Sequence, residues 1–251
     1  MENSEFTGLF KRAEDLAARC ERSCMLTSTA FLTPAEKYAL TQWSGNRSDV
    51  KLLFSGGHEA CERTVAFFLP EYMEREYFDP GEYIKVIRLR AFFGAPGHRD
   101  YMGALLGMGI ERSRLGDIWV RDDTAVVFCL PGIEKHLLGI DKVGRYTVKA
   151  EEIPLDGLAA PERNVKKISF TVMSPRLDAV AGGMFNISRT EAARHISAGN
   201  VSVNYSVSDK TDMMIKEGDI VSLRGSGKGE ITGTGGTSRK GRLYIYADIY
   251  K

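Results

Sequence analysis

The chain has 251 residues, of which 43% are hydrophobic and 27% are charged, and its formal net charge is +1. This composition is typical of globular proteins and excludes a coiled coil, a collagen-like chain and an intrinsically disordered one. No apolar run approaches the ~18 residues of a membrane-spanning helix, and the acidic first residues resemble neither a signal peptide nor a transit peptide. We therefore expect a soluble, cytoplasmic protein without membrane contact, and the length favours several small domains over one.

The first predicted domain, residues 1–75, is a small mixed α/β domain. Apolar residues recur at helical spacing near the start, and Thr33-Pro34 suits the beginning of a second helix, with threonine as cap and proline in the first turn. The predicted elements are a helix over 5–24, a helix from Thr33 to about Gly45, and strands over 50–54 and 64–69.

The second predicted domain, residues 76–156, has the element order βαββαβ, which is typical of the ferredoxin-like fold and of the RNA-recognition motif. The elements are strands over 83–89, 118–121, 124–130 and 146–153, and helices over 99–106 and 131–138. We do not expect bases to stack on this sheet, because the basic and aromatic signature of that motif is missing. Arg112 and Arg114 could contact phosphate, but ordinary surface charge is the favoured interpretation. Residues 154–163 have the composition of a linker.

The third predicted domain, residues 165–251, contains a strand at 168–172 and a helix that starts at Ser188 and ends at Gly199. Ser188 and Glu191 form the pattern of a capping box. Strands follow at 201–203, 220–224 and 243–250. Residues 225–241 are glycine-rich and are interpreted as a loop whose path the sequence does not predict.

Positive charge is concentrated in this last domain. Residues 161–251 carry 14 Lys and Arg against 9 Asp and Glu, whereas the rest of the chain carries 20 against 24. A local basic excess is the pattern expected of a nucleic-acid contact confined to one domain. A merely soluble basic surface explains the charge equally well.

The helix that begins at Ser188 offers a surface suited to phosphate. Thr190 and Arg194 lie opposite its apolar side, and Arg189 lies in the opening turn, where its stem can cover apolar surface while the guanidinium reaches out. The free amides and positive dipole end of a helix N-terminus also suit phosphate oxygens. Solvated surface arginines remain the alternative for this helix taken alone.

Four short segments follow one another along the last domain: Arg176-Leu177-Asp178, Ser188-Arg189, Gly199-x-Val201-x-Val203-Asn204 and Gly218-Asp219-Ile220. Their order resembles the S4-type RNA-binding module of ribosomal small-subunit protein four. The resemblance covers about residues 174–225. It implies a helix pair and a turn that grip the RNA backbone, with Ser188, Arg189, Arg194, Asn200 and Asn204 near the contact surface.

Three further segments stand out: Gly56-Gly57-x-Glu59-x-x-Glu62-Arg63, the stretch from His98-Arg99-Asp100 through Arg112 to Gly116-Asp117-Ile118, and Arg224-Gly225 followed by Thr237 to Arg242. They resemble the YlmH family of S4-containing proteins. The resemblance implies a ribosome-associated protein that acts in rescue or quality control on the large subunit carrying peptidyl-tRNA. The chain departs from the family pattern at Lys228, where an arginine is expected, and in the extra glycine-rich stretch Gly233–Gly236.

Together these features predict a non-catalytic protein that binds ribosomal RNA and/or tRNA, with no DNA partner, no metal and no cofactor. The four cysteines agree with this, since no second closely spaced pair completes a zinc motif. The predicted RNA-binding residues are Arg176, Ser188, Arg189, Thr190, Arg194, Asn200, Asn204, Arg224, Lys228, Arg239, Lys240 and Arg242. Tyr244, Tyr246 and Tyr250 alternate on one side of the last strand and could stack on bases, although such a face more often covers a neighbouring domain.

Two other functions compete with this interpretation. S4-like modules are often fused to pseudouridine synthases and methyltransferases, which makes an RNA-modifying enzyme the main rival. No catalytic domain of ~150 residues remains beside the module, and no methyl-donor glycine loop is evident. The third hypothesis is a protein-interaction adaptor, at cell division or elsewhere.

Overall fold

A computed structural model describes residues 6–45, 47, 51–161 and 165–250. It is a mixed α+β structure whose contacts divide the chain into two compact units, Met1–Pro161 and Glu162–Lys251. The predicted boundary at residue 75 falls inside the first unit, so both predicted N-terminal domains lie within it. The division between the units falls within the predicted linker.

The first unit begins with two helices on a three-stranded antiparallel sheet. The elements are α1 (Thr7–Ser23), β1 (Thr27–Leu32), α2 (Pro34–Gly45), β2 (Lys51–Ser55) and β3 (Thr64–Leu69), in the sheet order β1-β3-β2. Helix α2 starts where predicted, because the Glu36 amide donates to Thr33 Oγ1 at 3.3 Å and the Thr33 amide donates to Glu36 Oε2 at 2.7 Å. This reciprocal pair is a capping box.

The remainder of the first unit is a five-stranded antiparallel sheet with two helices. Its elements are β4 (Lys85–Ala91), α3 (His98–Gly107), β5 (Leu115–Arg121), β6 (Thr124–Cys129), α4 (Glu134–Leu138), β7 (Lys142–Val143) and β8 (Tyr146–Ile153). The sheet order is β5-β6-β4-β8-β7. Apart from the short edge strand β7, this is the βαββαβ arrangement expected from the sequence. Helices α3 and α4 cover one face through Tyr101, Leu105 and Leu137.

The opposite face of that sheet is partly covered by the three-stranded sheet. Val86 and Phe128 are buried in one cluster with Phe31, Val65 and Phe67. The face that an RNA-recognition motif leaves open is therefore occupied here by protein along part of its length.

Polar contacts strengthen this junction. Asp117 accepts from the Glu62 and Arg63 amides at 2.7 and 3.0 Å. The Arg63 guanidinium donates to the carbonyls of Phe31 and Leu115 at 3.0 and 3.1 Å. Residues from two of the segments that resemble the YlmH family thus meet in a structural contact.

The second unit is a six-stranded antiparallel sheet with a helix pair on one face. Its elements are β9 (Val165–Val172), α5 (Leu177–Phe185), α6 (Arg189–Ser197), β10 (Val201–Val203), β11 (Ser206–Val207), β12 (Ile220–Leu223), β13 (Gly227–Thr237) and β14 (Leu243–Tyr250). The sheet order is β11-β10-β12-β13-β14-β9. Leu177, Val180, Met184 and Ile196 of the helices pack on Val221, Ile231 and Ile245 of the sheet.

The glycine-rich stretch is a correction to the sequence interpretation. It was expected to be a loop, yet residues 227–237 form the longest strand of the unit and pair with both β12 and β14. Its low intrinsic strand propensity is overcome because both neighbours supply hydrogen-bonding partners.

Candidate RNA-binding surface

The start of helix α6 lies where the capping pattern placed it. Ser188 has extended backbone angles, and its hydroxyl accepts from the Glu191 amide at 3.1 Å. The Glu191 carboxylate faces Arg194 at 3.8 Å. Ser188, Arg189 and Thr190 are all exposed, so the amide end of this helix is open to solvent. An open helix N-terminus attracts anions.

Asp178 orients Arg189 by hydrogen bonds and lies close to Arg176. The residue is only 6% exposed. Arg189 Nε and Nη2 lie 3.0 and 2.9 Å from Asp178 Oδ2, and Arg176 Nε lies 3.6 Å from Asp178 Oδ1. The Arg189 side chain is nevertheless 60% exposed. Because only part of its five-donor fork faces Asp178, the rest can reach a phosphate.

Thr190 and Arg194 extend this surface along α6. The Arg194 side chain is 76% exposed, and its contact with Glu191 is an exposed ion pair that contributes about 0–1 kcal/mol. Arg194 can therefore exchange this partner for a phosphate at little cost. We call Arg176, Ser188, Arg189, Thr190 and Arg194 the helix-pair surface.

The two predicted asparagines are engaged within the fold. Asn204 has a left-handed backbone (φ 48°), donates to Asp219 Oδ1 at 2.8 Å and accepts from the Ile220 amide at 3.0 Å. Asn200 Nδ2 lies 3.5 Å from His195 Nδ1, and the backbone carbonyl of Asn200 accepts from the Arg224 amide at 3.0 Å. These contacts give both residues a structural role in joining β10 to β12, and RNA contact by them stays a prediction.

Arg224 lies in the turn between β12 and β13, and Lys228 is the second residue of β13. Arg224 is exposed, whereas Lys228 is half-buried, with its ammonium 5.3 Å from the centre of the Tyr250 ring. The Arg224 amide links this turn to the end of α6.

Arg239, Lys240 and Arg242 form a second basic group, which we call the hairpin tip. Arg239 and Lys240 are exposed in the turn between β13 and β14. Arg242 Nη2 donates to the Thr171 carbonyl at 2.8 Å. Since Thr237 is nine positions after Lys228 in strand β13, these two residues are roughly 30 Å apart along the strand. The twelve predicted residues therefore do not form one cluster.

Asp178 is a residue whose function the sequence interpretation missed. It belongs to the Arg176-Leu177-Asp178 segment, but the sequence of that segment does not distinguish an exposed aspartate from a buried one that binds arginines. Its place on the helix could have indicated burial, because it lies in the first turn, on the side that also carries buried Leu177 and Ala181.

Arg112 and Arg114, considered for phosphate contact, are both used by the first unit itself. Arg112 Nη1 donates to the Leu115 and Gly116 carbonyls at 2.7 and 2.9 Å. Burial, and next the nearby charge of Arg63, lower the pKa of Arg112 to about 10, so it stays protonated at neutral pH. Arg114 Nη2 donates to the Pro131 carbonyl at 3.2 Å.

Two buried cysteines of the first unit have raised pKa values. Burial is the main cause that raises the pKa of Cys61 and Cys129 to about 12, which leaves these thiols protonated at neutral pH. Over residues 6–45, 47, 51–161 and 165–250, no group of three or more His, Cys, Asp or Glu side chains could hold a metal. No helix in the same ranges has both the length and the apolarity that crossing a membrane requires.

Residues 84–157 match a family model described as "Putative RNA-binding domain in YlmH". The chain is also 34% identical over 219 residues to "Ribosome-associated protein quality control protein P2" of Bacillus subtilis (strain 168), covering 86% of this chain and 84% of that protein. The chain belongs to the YlmH family. A solved structure of "Cell division protein ylmH from Streptococcus pneumoniae" matches with a TM-score of 0.54 at 21% identity, over 61% of this chain and 94% of that one. That likeness concerns the fold.

The family model matches a part of the chain in which the sequence had predicted no RNA-binding residue. It covers the five-stranded sheet from β4 to β8, whereas the residues predicted to bind RNA lie in the second unit. The missing basic and aromatic signature had argued against base stacking on this sheet, and no residue of it was predicted to bind RNA.

Proposed function

We propose that this YlmH-family protein is a non-catalytic, ribosome-associated RNA-binding factor. It docks through the helix-pair surface on ribosomal RNA and/or tRNA of the large subunit and acts in rescue or quality control. The name of the Bacillus subtilis relative supports the association with ribosomes. The single observation that carries the proposal is the exposed Arg189 guanidinium, held by buried Asp178 beside the open N-terminus of α6.

This arrangement suits an RNA backbone because it combines a fixed cation with free helix amides. A guanidinium that is already oriented loses less side-chain entropy when it meets a phosphate. Arg194 lies one turn further along the helix and adds a second charge. Such contacts recognise RNA shape and backbone more than sequence, as an S4-type module would.

The test is the salt dependence of RNA binding. The full chain and its Arg194→Ala variant are titrated with a structured ribosomal RNA fragment at several salt concentrations. Loss of one phosphate contact lowers the slope of log affinity against log salt by about 1 and weakens binding to all sequences similarly. Arg12→Ala is the matched control, since Arg12 is an exposed arginine of α1. Equal slopes for wild type and Arg194→Ala would remove Arg194 from the contact surface.

Experiments with the wild-type protein distinguish the proposed RNA-binding factor from an RNA-modifying enzyme and from a protein-interaction adaptor. Sedimentation of tagged protein with ribosomal subunits, followed by RNA crosslinking, is expected to recover the large subunit. An RNA-modifying enzyme would instead change bases in RNA, which mass spectrometry after incubation detects. An adaptor that binds only protein would keep its complexes after treatment with RNase.

A further inference from the structure

The face of the six-stranded sheet opposite the helix pair carries exposed tyrosines. In β14, Ile245 and Ala247 point into the core and are 1% exposed, while Tyr244 and Tyr246 are 38% and 46% exposed. Two large aromatic side chains on one strand of an open face need a physical explanation, because burial of such rings is normally favourable.

The neighbours of these rings are small. Tyr244 pairs with Thr171 of β9, and Tyr246 pairs with Ser169 of β9 on one side and Gly233 of β13 on the other. The β9 and β13 residues directly opposite these tyrosines are therefore small, and the Arg242 guanidinium lies beside Tyr244, where it donates to the Thr171 carbonyl at 2.8 Å.

Gly235, in the glycine-rich stretch Gly233–Gly236, lies beneath the Tyr246 ring. A Cβ atom placed on Gly235 would lie 2.9 Å from Tyr246 Cε2, 3.1 Å from the Tyr246 hydroxyl and 3.2 Å from Tyr244 Cβ. Gly235 therefore leaves room for the Tyr246 ring to lie against strand β13. The glycines that the sequence left without a predicted conformation thus keep one side of the ring packed and the other open.

Positive charge borders the tyrosines. Arg242 follows the hairpin turn two residues before Tyr244, and Arg239 and Lys240 are exposed in that turn. Lys167 is exposed on β9, on the same face, and pairs across the sheet with Asp248 of β14. Glu230 pairs with Asp248 on the other side and accepts from the Tyr250 hydroxyl at 2.7 Å. Both carboxylates lie toward the end of β14 that is far from the hairpin tip, so the positive charge complementary to phosphate is concentrated at the Tyr244 end of the strand.

We propose that this face binds a single-stranded segment of RNA, with bases stacked on Tyr244 and Tyr246 and phosphates on Arg239, Lys240 and Arg242. Exposed aromatic rings beside cations are the combination that single-stranded nucleic acid uses on open sheets. The ligand class rests on the proposed function. The site itself is separate, because it lies on the opposite side of the sheet from the helix pair.

The experiment compares two probes on the full chain by fluorescence anisotropy. A dodecamer of uridine has no duplex structure, and a stable RNA hairpin presents backbone and shape. Tyr244→Leu with Tyr246→Leu should weaken uridine-dodecamer binding by about 5- to 100-fold for each ring and leave hairpin binding nearly unchanged. Tyr244→Phe with Tyr246→Phe is the matched control and should retain dodecamer binding, because stacking needs the ring and not the hydroxyl.

Arg189→Ala and Arg194→Ala test the helix-pair surface separately from the tyrosine site. They should weaken hairpin binding and leave dodecamer binding nearly unchanged. If the leucine variant binds the dodecamer like wild type, the tyrosine site is wrong while the helix-pair surface can still stand. If the wild-type chain binds neither probe, both proposals fail.

Photocrosslinking of the wild-type chain covers the case in which the leucine variant does not fold. A dodecamer containing 4-thiouridine is irradiated with the protein, and the attached peptides are identified by mass spectrometry. Attachment within β9 or within residues 227–250, which include both tyrosines and the hairpin tip, supports the site. Attachment only elsewhere in the chain overturns it.

Discussion

At the scale of single residues, the helix-pair surface depends on one carboxylate that does not itself face solvent. Asp178 contacts Arg189 from a buried position and lies 3.6 Å from Arg176. Burying an ionised carboxylate is unfavourable unless it is paired, so the two nearby arginines stabilise Asp178, and its hydrogen bond from Arg189 orients that guanidinium. A residue outside the contact surface thus determines the geometry within it.

Asp178→Asn should destabilise the protein and weaken its RNA binding. The change keeps the size of the side chain but removes the charge, and hydrogen bonds to charged groups contribute about 1.5–3 kcal/mol. We expect the free energy of unfolding to fall by about 1–3 kcal/mol in urea denaturation.

Glu191→Gln is the matched control for that substitution. It also removes a carboxylate that faces an arginine, but this pair is exposed and 3.8 Å long. The expected loss is therefore about 0–1 kcal/mol. Equal losses for Asp178→Asn and Glu191→Gln would mean that burial does not strengthen the Asp178 contacts.

At the scale of elements, caps and hydrophobic periodicity predicted most helices and strands within a few residues. The capping signals at Thr33 and Ser188 are local and act without the rest of the fold, which is why the starts of α2 and α6 agree with the sequence. Strand β1 was not predicted, and α4 begins at Glu134 and not at Pro131. Strand β13 was interpreted as a loop because its glycines favour no regular structure by themselves.

Helix α5 shows how packing overrides helix propensity. Gly183 lies in this helix directly against the Phe170 ring of β9, where an added Cβ would overlap the ring. Alanine is normally better than glycine in a helix by about 0.5–1 kcal/mol, but overpacking costs about 1–3 kcal/mol. Gly183→Ala should therefore lower the midpoint of thermal unfolding.

Gly103→Ala in α3 is the matched control, because here the same substitution is expected to stabilise the protein. Nothing lies within 4 Å of a Cβ added at Gly103. Without a clash, only the helix propensity acts, and the same chemical change should raise the midpoint or the free energy of unfolding by up to about 1 kcal/mol. Stabilisation by both substitutions would show that Phe170 moves aside without cost.

At the scale of the whole molecule, the predicted division into three domains can be tested by truncation. Residues 76–161 alone would uncover Val86 and Phe128, which pack against Phe31, Val65 and Phe67 in the intact unit. We expect this fragment to bind a hydrophobic dye and to unfold without a cooperative transition, because the apolar face loses its cover.

Residues 1–161 and 165–251 serve as the comparison, since each keeps its own buried clusters. Both fragments should unfold cooperatively in urea when unfolding is monitored by circular dichroism. A cooperative transition for residues 76–161 alone would favour the three separate domains that the sequence predicts.

The sequence by itself determined the features that depend on local patterns. These are the amphipathic helices and their caps, the βαββαβ order, the basic excess of the last ninety or so residues and the motifs that identify the family. Each follows from residues close together in the chain, where propensity, capping and spacing act directly.

Only the tertiary structure decided which of these residues share a surface. It placed Lys228 and the hairpin tip at opposite ends of β13, turned Arg112 and Arg114 toward backbone carbonyls, and used both asparagines within the fold. It also placed Gly235 beneath Tyr246. Such outcomes depend on contacts between segments that are distant in the chain. The residue type alone does not tell whether a side chain packs within the fold or faces a ligand.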